Sequence, residues 1–226
     1  MKTKICISLR AQTLDELLKL IHEAESLNVD IIEIRLDFLS SLKGFERITG
    51  ETSVPLIATN RRLQEGGFKQ QNEEIRIKSL IKAANVGFNY VDVELATEGI
   101  SEIVTKIRDL GAEPIVSYHD FKRTPTFSDL EKIVEKEKRV GAEICKIVTT
   151  ANSVDDNVRC LLLNVAFGEE TKIVCFAMGE KGALSRILAP IFGAYFTYAS
   201  LKEGSETAPG QLSISSIKEI YRTLGV

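Results

Sequence analysis

One lysine lies where the sequence otherwise predicts a buried strand. The run AEICKIVTT contains Lys146 between apolar residues, a pattern typical of a parallel strand that is covered on both faces. Lysine is rarely buried, and loss of water disfavours its charged form, so its amine moves toward the neutral state that attacks a carbonyl. Lys146 is therefore a candidate Schiff-base nucleophile. The alternative is a lysine near a strand end, whose stem packs while its ammonium reaches water.

A histidine ends the preceding predicted strand. His119 follows the run PIVSY, and about one strand–helix–strand unit separates it from Lys146. Because neighbouring strands lie ~4.8 Å apart, the two side chains could share one substrate. An imine acidifies the adjacent carbon, and an imidazole can take that proton and return it to a leaving group. The pair indicates an elimination, although the segment HDF could also place His119 in a turn without a chemical role.

Eight short apolar runs alternate with amphipathic segments along the chain. The runs are ICISL, IIEIRL, PLIAT, YVDVEL, PIVSY, ICKIV, IVCFA and YFTYA. Helical patterns cover residues 15–27, 73–86, 100–110, 128–140, 154–167, 183–190 and 214–224, and the gap after the second run has a weaker pattern. Eight repeats in 226 residues predict an α/β fold, a (β/α)8 TIM barrel that forms one domain over residues 1–226. A doubly wound open sheet is the competing architecture.

Charged residues alternate with apolar ones in two of these runs. Glu33, Arg35 and Asp37 share one face of DIIEIRLD, and Asp92 and Glu94 share one face of YVDVEL. Charged faces that point into the mouth of a barrel account for both patterns. The alternative is a pair of exposed edge strands in an antiparallel sheet, which does not explain the helices between the strands. The alternation therefore favours the barrel.

Polar residues also follow two other runs, at the ends of strands where such barrels carry their catalytic groups. Arg61 and Glu65 follow PLIAT, and Arg186 follows IVCFA after a glycine-containing turn. A carboxylate such as Glu65 can orient the imidazole of His119 by accepting a hydrogen bond, and arginines supply paired donors for a substrate carboxylate.

The composition excludes several classes of partner. The chain is 44% hydrophobic and 27% charged with a net charge of −3, and its basic residues are scattered among acidic ones, so nucleic acid is not expected. The apolar runs are too short to cross a bilayer, and the N-terminal residues lack a signal-peptide pattern, which predicts a cytoplasmic location. No cofactor motif is visible. One candidate histidine without close cysteine spacing does not predict a metal site.

Ordered motifs extend through the whole chain. They are EIRLD at 33–37, TNRRLQEGG at 59–67, SYHDF at 117–121, CKIV around Lys146, MGEKGALSR at 178–186, FG at 192–193 and TAPGQ at 207–211. In this order they resemble the type I 3-dehydroquinate dehydratases, the Schiff-base dehydratases of the shikimate pathway. The GG and FG pairs alone are weak, whereas SYHDF, SR and APGQ in register with a strand lysine are specific.

The resemblance implies a reaction and a role for each matched residue. Lys146 would form an imine with the C3 ketone of 3-dehydroquinate, while His119, paired with Glu65, would remove a C2 proton and protonate the departing C1 hydroxyl. The product would be 3-dehydroshikimate. Arg186 would receive the substrate carboxylate. The other implied substrate-binding residues are Glu33, Arg35 and Arg61, with Ser8 nearby, and Thr207 and Gln211 in a lid over residues 201–211. The family also implies a homodimer.

Some positions depart from the commonest family pattern. Thr207 stands where serine is usual, Phe176 stands where methionine is frequent, and the segment before Thr207 is slightly longer than expected. Threonine keeps the hydroxyl, so these changes bear on the fit of the lid and on affinity rather than on reaction type. Asp92 and Glu94 either support the site from behind or form an ion pair beneath it.

Two other classes of function remain open. A class I aldolase would use a strand lysine in the same barrel, but its phosphate-bearing substrates usually need a glycine-rich phosphate site where this chain has Arg186 and APGQ. A non-catalytic barrel could bind a small polyol acid. Such a binder has no need for an unpaired lysine in a strand.

Overall fold

Eight parallel strands form one barrel in the computed structural model, which describes residues 3–226. The strands are β1 (Ile5–Leu9), β2 (Ile31–Arg35), β3 (Leu56–Thr59), β4 (Tyr90–Glu94), β5 (Glu113–His119), β6 (Ile144–Thr150), β7 (Lys172–Met178) and β8 (Thr197–Ala199). The sheet runs from β7 back to β1 and ends with β8 beside β1, and a backbone hydrogen bond of 2.7 Å from Tyr195 N to Ile173 O joins the remaining edge. This order excludes an open doubly wound sheet, so the predicted (β/α)8 barrel is confirmed.

Seven α-helices within residues 3–226 cover the outside of the barrel. They are α1 (Leu14–Ser26), α2 (Glu73–Asn85), α3 (Ile100–Asp109), α4 (Phe127–Arg139), α5 (Asp156–Phe167), α6 (Ala183–Leu188) and α7 (Ile214–Leu224). Side-chain oxygens of Thr13, Asn72, Thr126 and Ser213 cap the first turns of α1, α2, α4 and α7, as polar N-cap residues do. In this part of the chain no helix is both long and apolar enough to span a membrane.

The crossover between β2 and β3 has no α-helix. A short 3-10 helix, Phe45–Gly50, takes its place. Phe45 and Ile48 are buried there at a spacing of three residues, which is the period of a 3-10 helix. The weak helical pattern in this gap therefore corresponds to a crossover that buries one short apolar face.

Along most strands, one inward-facing residue is apolar and the next inward-facing residue is polar. The apolar residues together form a layer that we call the floor of the barrel. Because inward-facing residues alternate along a strand, each apolar residue of the floor is followed two positions later by another inward residue. The floor contains Cys6, Ile31, Ile57, Tyr90, Ile115, Ile144 and Phe196. The residues two positions further on are Ser8, Glu33, Thr59, Asp92, Ser117, Lys146 and Tyr198. The fold thus places a polar layer directly above a packed apolar floor.

Helix α1 packs on the outside of the barrel, and substitution of a buried residue tests this packing. Ile21 of α1 is 0% exposed, so Ile21→Ala should lower the free energy of unfolding by about 2–5 kcal/mol. Ile75 of α2 is 63% exposed, and Ile75→Ala should change this free energy by less than about 0.5 kcal/mol. Urea unfolding of both variants measures the difference. Equal losses would contradict the burial of α1.

Candidate active site

The ten residues assigned to a site from the sequence all line one pocket at the C-terminal ends of the strands. They are Ser8, Glu33, Arg35, Arg61, Glu65, His119, Lys146, Arg186, Thr207 and Gln211. The walls also include Gly66, Phe121, Val148, Phe176, Met178, Tyr198 and Ala208. The strand ends therefore bring together residues that lie far apart in the sequence.

Lys146 is buried in the polar layer and has charged partners. Its Nζ donates to Asp92 Oδ2 at 2.8 Å and to Tyr198 Oη at 2.9 Å, and it lies 3.6 Å from Glu33 Oε1. The expectation of an unpaired strand lysine is therefore wrong. The partners come from β2, β4 and β8, so the local sequence around Lys146 could not reveal them. With 4% of Lys146 exposed, the alternative of an ammonium that reaches water is also excluded.

Asp92 touches both Lys146 and a second buried cation. Its Oδ2 lies 2.7 Å from Arg61 Nη2, and its Oδ1 accepts a hydrogen bond of 2.7 Å from Ser117. Burial alone would raise the pKa of Asp92, but Arg61 and Lys146 hold this pKa well below its usual range. Asp92 is therefore an ionised carboxylate in direct contact with the candidate nucleophile.

Glu94 lies further from Lys146 and forms a structural ion pair. Its carboxylate accepts from Arg61 Nη1 at 3.1 Å and from Arg76 Nη1 at 2.8 Å. Arg61 also donates to Ser117 at 2.7 Å. Both terminal nitrogens of Arg61 thus already have partners in the protein. Arg61 compensates buried carboxylates as well as lining the pocket.

His119 and Glu65 form a hydrogen-bonded pair. The distance from His119 Nδ1 to Glu65 Oε2 is 3.0 Å. Burial lowers the pKa of His119 well below its ordinary value, and the nearby cations Arg61 and Lys146 lower it further. Burial raises the pKa of Glu65 to about 7. An added proton therefore favours the carboxyl group, and the ring remains neutral with Nε2 not hydrogen-bonded to any residue in 3–226.

Arg35 is held in a fixed orientation at the edge of the pocket. Its Nε and Nη2 donate to the two oxygens of Asp37 at 2.9 and 2.7 Å, and Nη2 also donates to Gly66 O at 3.1 Å. This bidentate geometry restricts the rotation of the guanidinium. Glu33, on the same strand, accepts hydrogen bonds from Ser8 and Thr59.

Arg186 is a buried cation that has no acidic partner in the part of the chain that the structure describes. It is 2% exposed, and its Nε and Nη2 make no hydrogen bond to any residue of 3–226. The guanidinium lies 4.3 Å from the centre of the Phe176 ring. Burial lowers the pKa of Arg186 to about 10. Because an unpaired buried charge is costly, this geometry is suited to a ligand anion.

Thr207, Ala208 and Gln211 of the segment 201–211, the predicted lid, line the pocket. Arg10 Nη2 donates to Glu206 O at 2.6 Å, and Gly179 N donates to Pro209 O at 3.2 Å. Gly210 has φ +75°, and a Cβ there would lie 2.3 Å from Gly179 O, so the close approach requires glycine. These contacts fasten the segment to the loops after β1 and β7.

Tyr198 is a site residue that the sequence analysis did not assign. Its hydroxyl donates to Glu33 Oε1 at 3.1 Å and accepts from Lys146. The run YFTYA looked like an ordinary apolar strand, in which an aromatic residue is expected in the core. The available signal was its alternation: Phe196 belongs to the floor, so Tyr198 is the next inward residue.

The lack of a partner for Arg186 leads to a prediction about stability. Arg186→Met should raise the free energy of unfolding of the ligand-free protein by about 1–3 kcal/mol, because it removes unsatisfied buried donors. The matched control is Arg76→Met, since Arg76 is 1% exposed but paired with Glu73 and Glu94. It should lower this free energy by about 3–5 kcal/mol. Denaturant unfolding distinguishes the two, and a destabilised Arg186→Met would show that Arg186 is already compensated.

Comparison with known proteins agrees with the resemblance found in the sequence. Residues 5–226 match the family model described as type I 3-dehydroquinase. The 3-dehydroquinate dehydratase of Methanococcus vannielii is 39% identical over 224 residues, which cover 97% of this chain and 99% of that protein. The corresponding protein of Dehalococcoides mccartyi is 39% identical over 192 residues, or 85% of each chain.

Solved structures agree with the fold. The crystal structure of 3-dehydroquinate dehydratase from Geobacillus kaustophilus matches with a TM-score of 0.89 at 26% identity, covering 100% of this chain and 92% of that one. A deoxyribose phosphate aldolase from Aeropyrum pernix matches with a TM-score of 0.64 at 18% identity over 98% of this chain and 90% of that one, a likeness of fold alone. On the family match and the curated relatives, the chain belongs to the type I 3-dehydroquinase family.

Proposed function

We propose that this chain dehydrates 3-dehydroquinate to 3-dehydroshikimate through an imine on Lys146, with His119 as general base and acid. One observation carries the proposal: in a chain of this family, a single pocket holds a buried lysine, a histidine hydrogen-bonded to a carboxyl group, and an arginine without an acidic partner in residues 3–226. These groups correspond to a nucleophile for a ketone, a base for the neighbouring carbon and a partner for a carboxylate.

Arg186 binds the substrate carboxylate in this proposal. The guanidinium already lies buried over Phe176 with free donors, so a carboxylate needs to displace no protein partner. A bidentate pair would fix one end of the ring. The ring hydroxyls then face the remaining polar residues of the pocket, which are Ser8, Glu33, Arg35, Arg61, Thr207 and Gln211.

Lys146 attacks the C3 ketone after its ammonium loses a proton. Addition gives a neutral carbinolamine. Its hydroxyl takes up the proton that the ammonium had released and leaves as water, so that a protonated imine remains. The positive charge stays on Nζ, close to the carboxylates of Asp92 and Glu33 that lay next to the ammonium. The site therefore holds a carboxylate beside the imine from the start, which favours electrostatic stabilisation without rearrangement.

His119 carries out the elimination. Its Nε2 takes a proton from C2, and the electron pair of the broken C–H bond moves toward the imine nitrogen to form an enamine. The enamine then expels the C1 hydroxyl, which leaves as water with the proton from His119. One water molecule hydrolyses the resulting conjugated imine, which releases 3-dehydroshikimate and restores Lys146. The closed segment 201–211 limits earlier entry of water.

Borohydride trapping tests the nucleophile and the base in one experiment. With 3-dehydroquinate present, reduction followed by peptide mass spectrometry should find an adduct on Lys146. Lys146→Ala should give no adduct, and Lys146→Arg, which keeps a cation beside Asp92, should also give none. His119→Ala should still form the adduct while kcat falls by about 10²- to 10⁴-fold. Lys172→Ala, which changes a lysine paired with Glu113 and Glu143, is the control. An adduct elsewhere, or full activity of Lys146→Ala, would contradict the proposal.

The His119–Glu65 pair predicts how activity depends on pH. The pKa of Glu65 is about 7, so kcat/KM should rise as pH increases through about 7. The reason is that protonated Glu65 would donate to Nδ1 and leave the ring proton on Nε2, which could then not act as a base. Glu65→Gln removes this titration, and because the pKa of His119 is lowered, the acidic limb should move to lower pH. The rate should fall as well.

A control variant separates this effect from a general loss of surface charge. Glu74 pairs with Lys78 on the exposed face of α2. Glu74→Gln should leave the profile unchanged. If Glu65→Gln kept an acidic limb near pH 7, the titration would belong to another group.

A further inference from the structure

The hydroxyl of Tyr198 bridges the amine of Lys146 and a buried carboxylate. It accepts a hydrogen bond of 2.9 Å from Nζ and donates one of 3.1 Å to Glu33 Oε1. The tyrosine is 5% exposed and Glu33 is 4% exposed. A continuous chain of hydrogen bonds therefore leads from the amine to Glu33.

Packing holds this hydroxyl in place. The Tyr198 ring makes edge contacts with Phe196 and Phe176, at centroid distances of 5.4 and 6.0 Å. Burial raises the pKa of Tyr198 well above its ordinary value, and the charge of Glu33 adds to this rise. The Tyr198 hydroxyl therefore does not ionise by itself. It can give its proton to Glu33 only if it receives a proton from Lys146 at the same time.

Lys146 needs a proton acceptor before it can attack a ketone. Asp92 contacts Nζ, but it also contacts Arg61. The arginine would still be charged after the lysine became neutral, and it would disfavour a proton on Asp92. The partners of Glu33 are different. Its side-chain hydrogen bonds come from the hydroxyls of Ser8, Thr59 and Tyr198, and Nζ of Lys146 lies 3.6 Å away.

The transfer of the proton would itself make Glu33 a better acceptor. Burial raises the pKa of Glu33, and the cations Lys146 and Arg35 bring it below its usual value, with Lys146 the larger of the two effects. When Lys146 becomes neutral, the larger of these effects disappears. The pKa of Glu33 is then higher than it is beside the lysine ammonium, because burial raises it against less opposition.

We propose that Tyr198 is a proton relay for imine formation, an inference that rests on the imine route proposed above. Its oxygen takes a proton from the Lys146 ammonium as its own proton passes to Glu33. One N–H bond and one O–H bond break, and two O–H bonds form, so the tyrosine is unchanged, Lys146 is neutral and Glu33 is a carboxylic acid. The same proton can return through Tyr198 to the carbinolamine hydroxyl, which leaves as water.

Tyr198→Phe tests the relay because it keeps the ring and removes the hydroxyl. Single-turnover mixing with 3-dehydroquinate, quenched with borohydride, gives the rate of adduct formation by mass spectrometry. We expect this rate to fall by about 10-fold or more, with a smaller solvent isotope effect in D₂O. Tyr195→Phe is the matched control, since the Tyr195 hydroxyl is 3.3 Å from that of Tyr90 near the floor of the barrel. It should react like the unaltered protein.

Glu33→Gln tests the other end of the hydrogen-bond chain, and it tests the relay even if Tyr198→Phe does not fold. It keeps a similar shape but cannot accept the proton, so imine formation should slow as in Tyr198→Phe. The double variant should be no slower than the slower single variant, because both changes interrupt one path.

The results separate this inference from the proposed function. An unchanged rate and isotope effect in Tyr198→Phe, with the adduct still on Lys146, would overturn the relay and leave the imine route intact. Additive losses in the double variant would also overturn it. Absence of an adduct in the unaltered protein would overturn the imine route, and the relay with it.

Discussion

The carboxylate of Asp92 lies between two buried cations, Lys146 and Arg61, and the polar layer of the barrel depends on this arrangement. Arg61 also contacts Glu94, which in turn pairs with Arg76. Each charge in this series offsets part of the desolvation cost of the next. Removal of Asp92 would leave Lys146 with only Glu33, at 3.6 Å, and Arg61 with only Glu94 as carboxylate partners. The series therefore explains how a lysine can be placed inside a β-barrel without access to water.

Arg186 lies outside this series, so the two ends of the pocket differ in charge. At one end the amine lies beside the carboxylates of Asp92 and Glu33. At the other end the guanidinium packs over Phe176 and has no acidic partner among residues 3–226. A substrate that carries a carboxylate on one side of its ring and a ketone on the other matches both ends. In the proposed reaction the imine would keep one positive charge on Nζ, so the carboxylates would not need to move.

Local patterns in the sequence predicted the barrel and the candidate residues at the strand ends. Ser8 and the lid residues Thr207 and Gln211 were assigned to the pocket only through the family resemblance. Alternation in DIIEIRLD placed Glu33 on an inward face, and the runs located all eight strands. The partners of Lys146 were not predictable from that pattern, since Asp92 lies 54 residues away and its contact depends on how the barrel closes. Tyr198 was missed for a related reason. A tyrosine in an apolar strand is expected to be a core residue, and the hydrogen-bond partners of its hydroxyl lie on other strands. The helical pattern in the sequence after the second strand was weak because the crossover there is a short 3-10 helix that buries only one small apolar face.

The segment over the pocket is held through its backbone. The oxygens of Glu206 and Pro209 accept the hydrogen bonds that fasten it, and Gly210 is the position where a side chain would collide. Substitution of the exposed residues Lys202 and Glu203 leaves those acceptors in place. The exposed part of the segment can therefore change in composition and length while the cover keeps its position, which accommodates the additional length before Thr207. The constraint on this segment therefore falls on Gly210 and on the pocket-lining residues Thr207 and Gln211, and not on the exposed side chains before them.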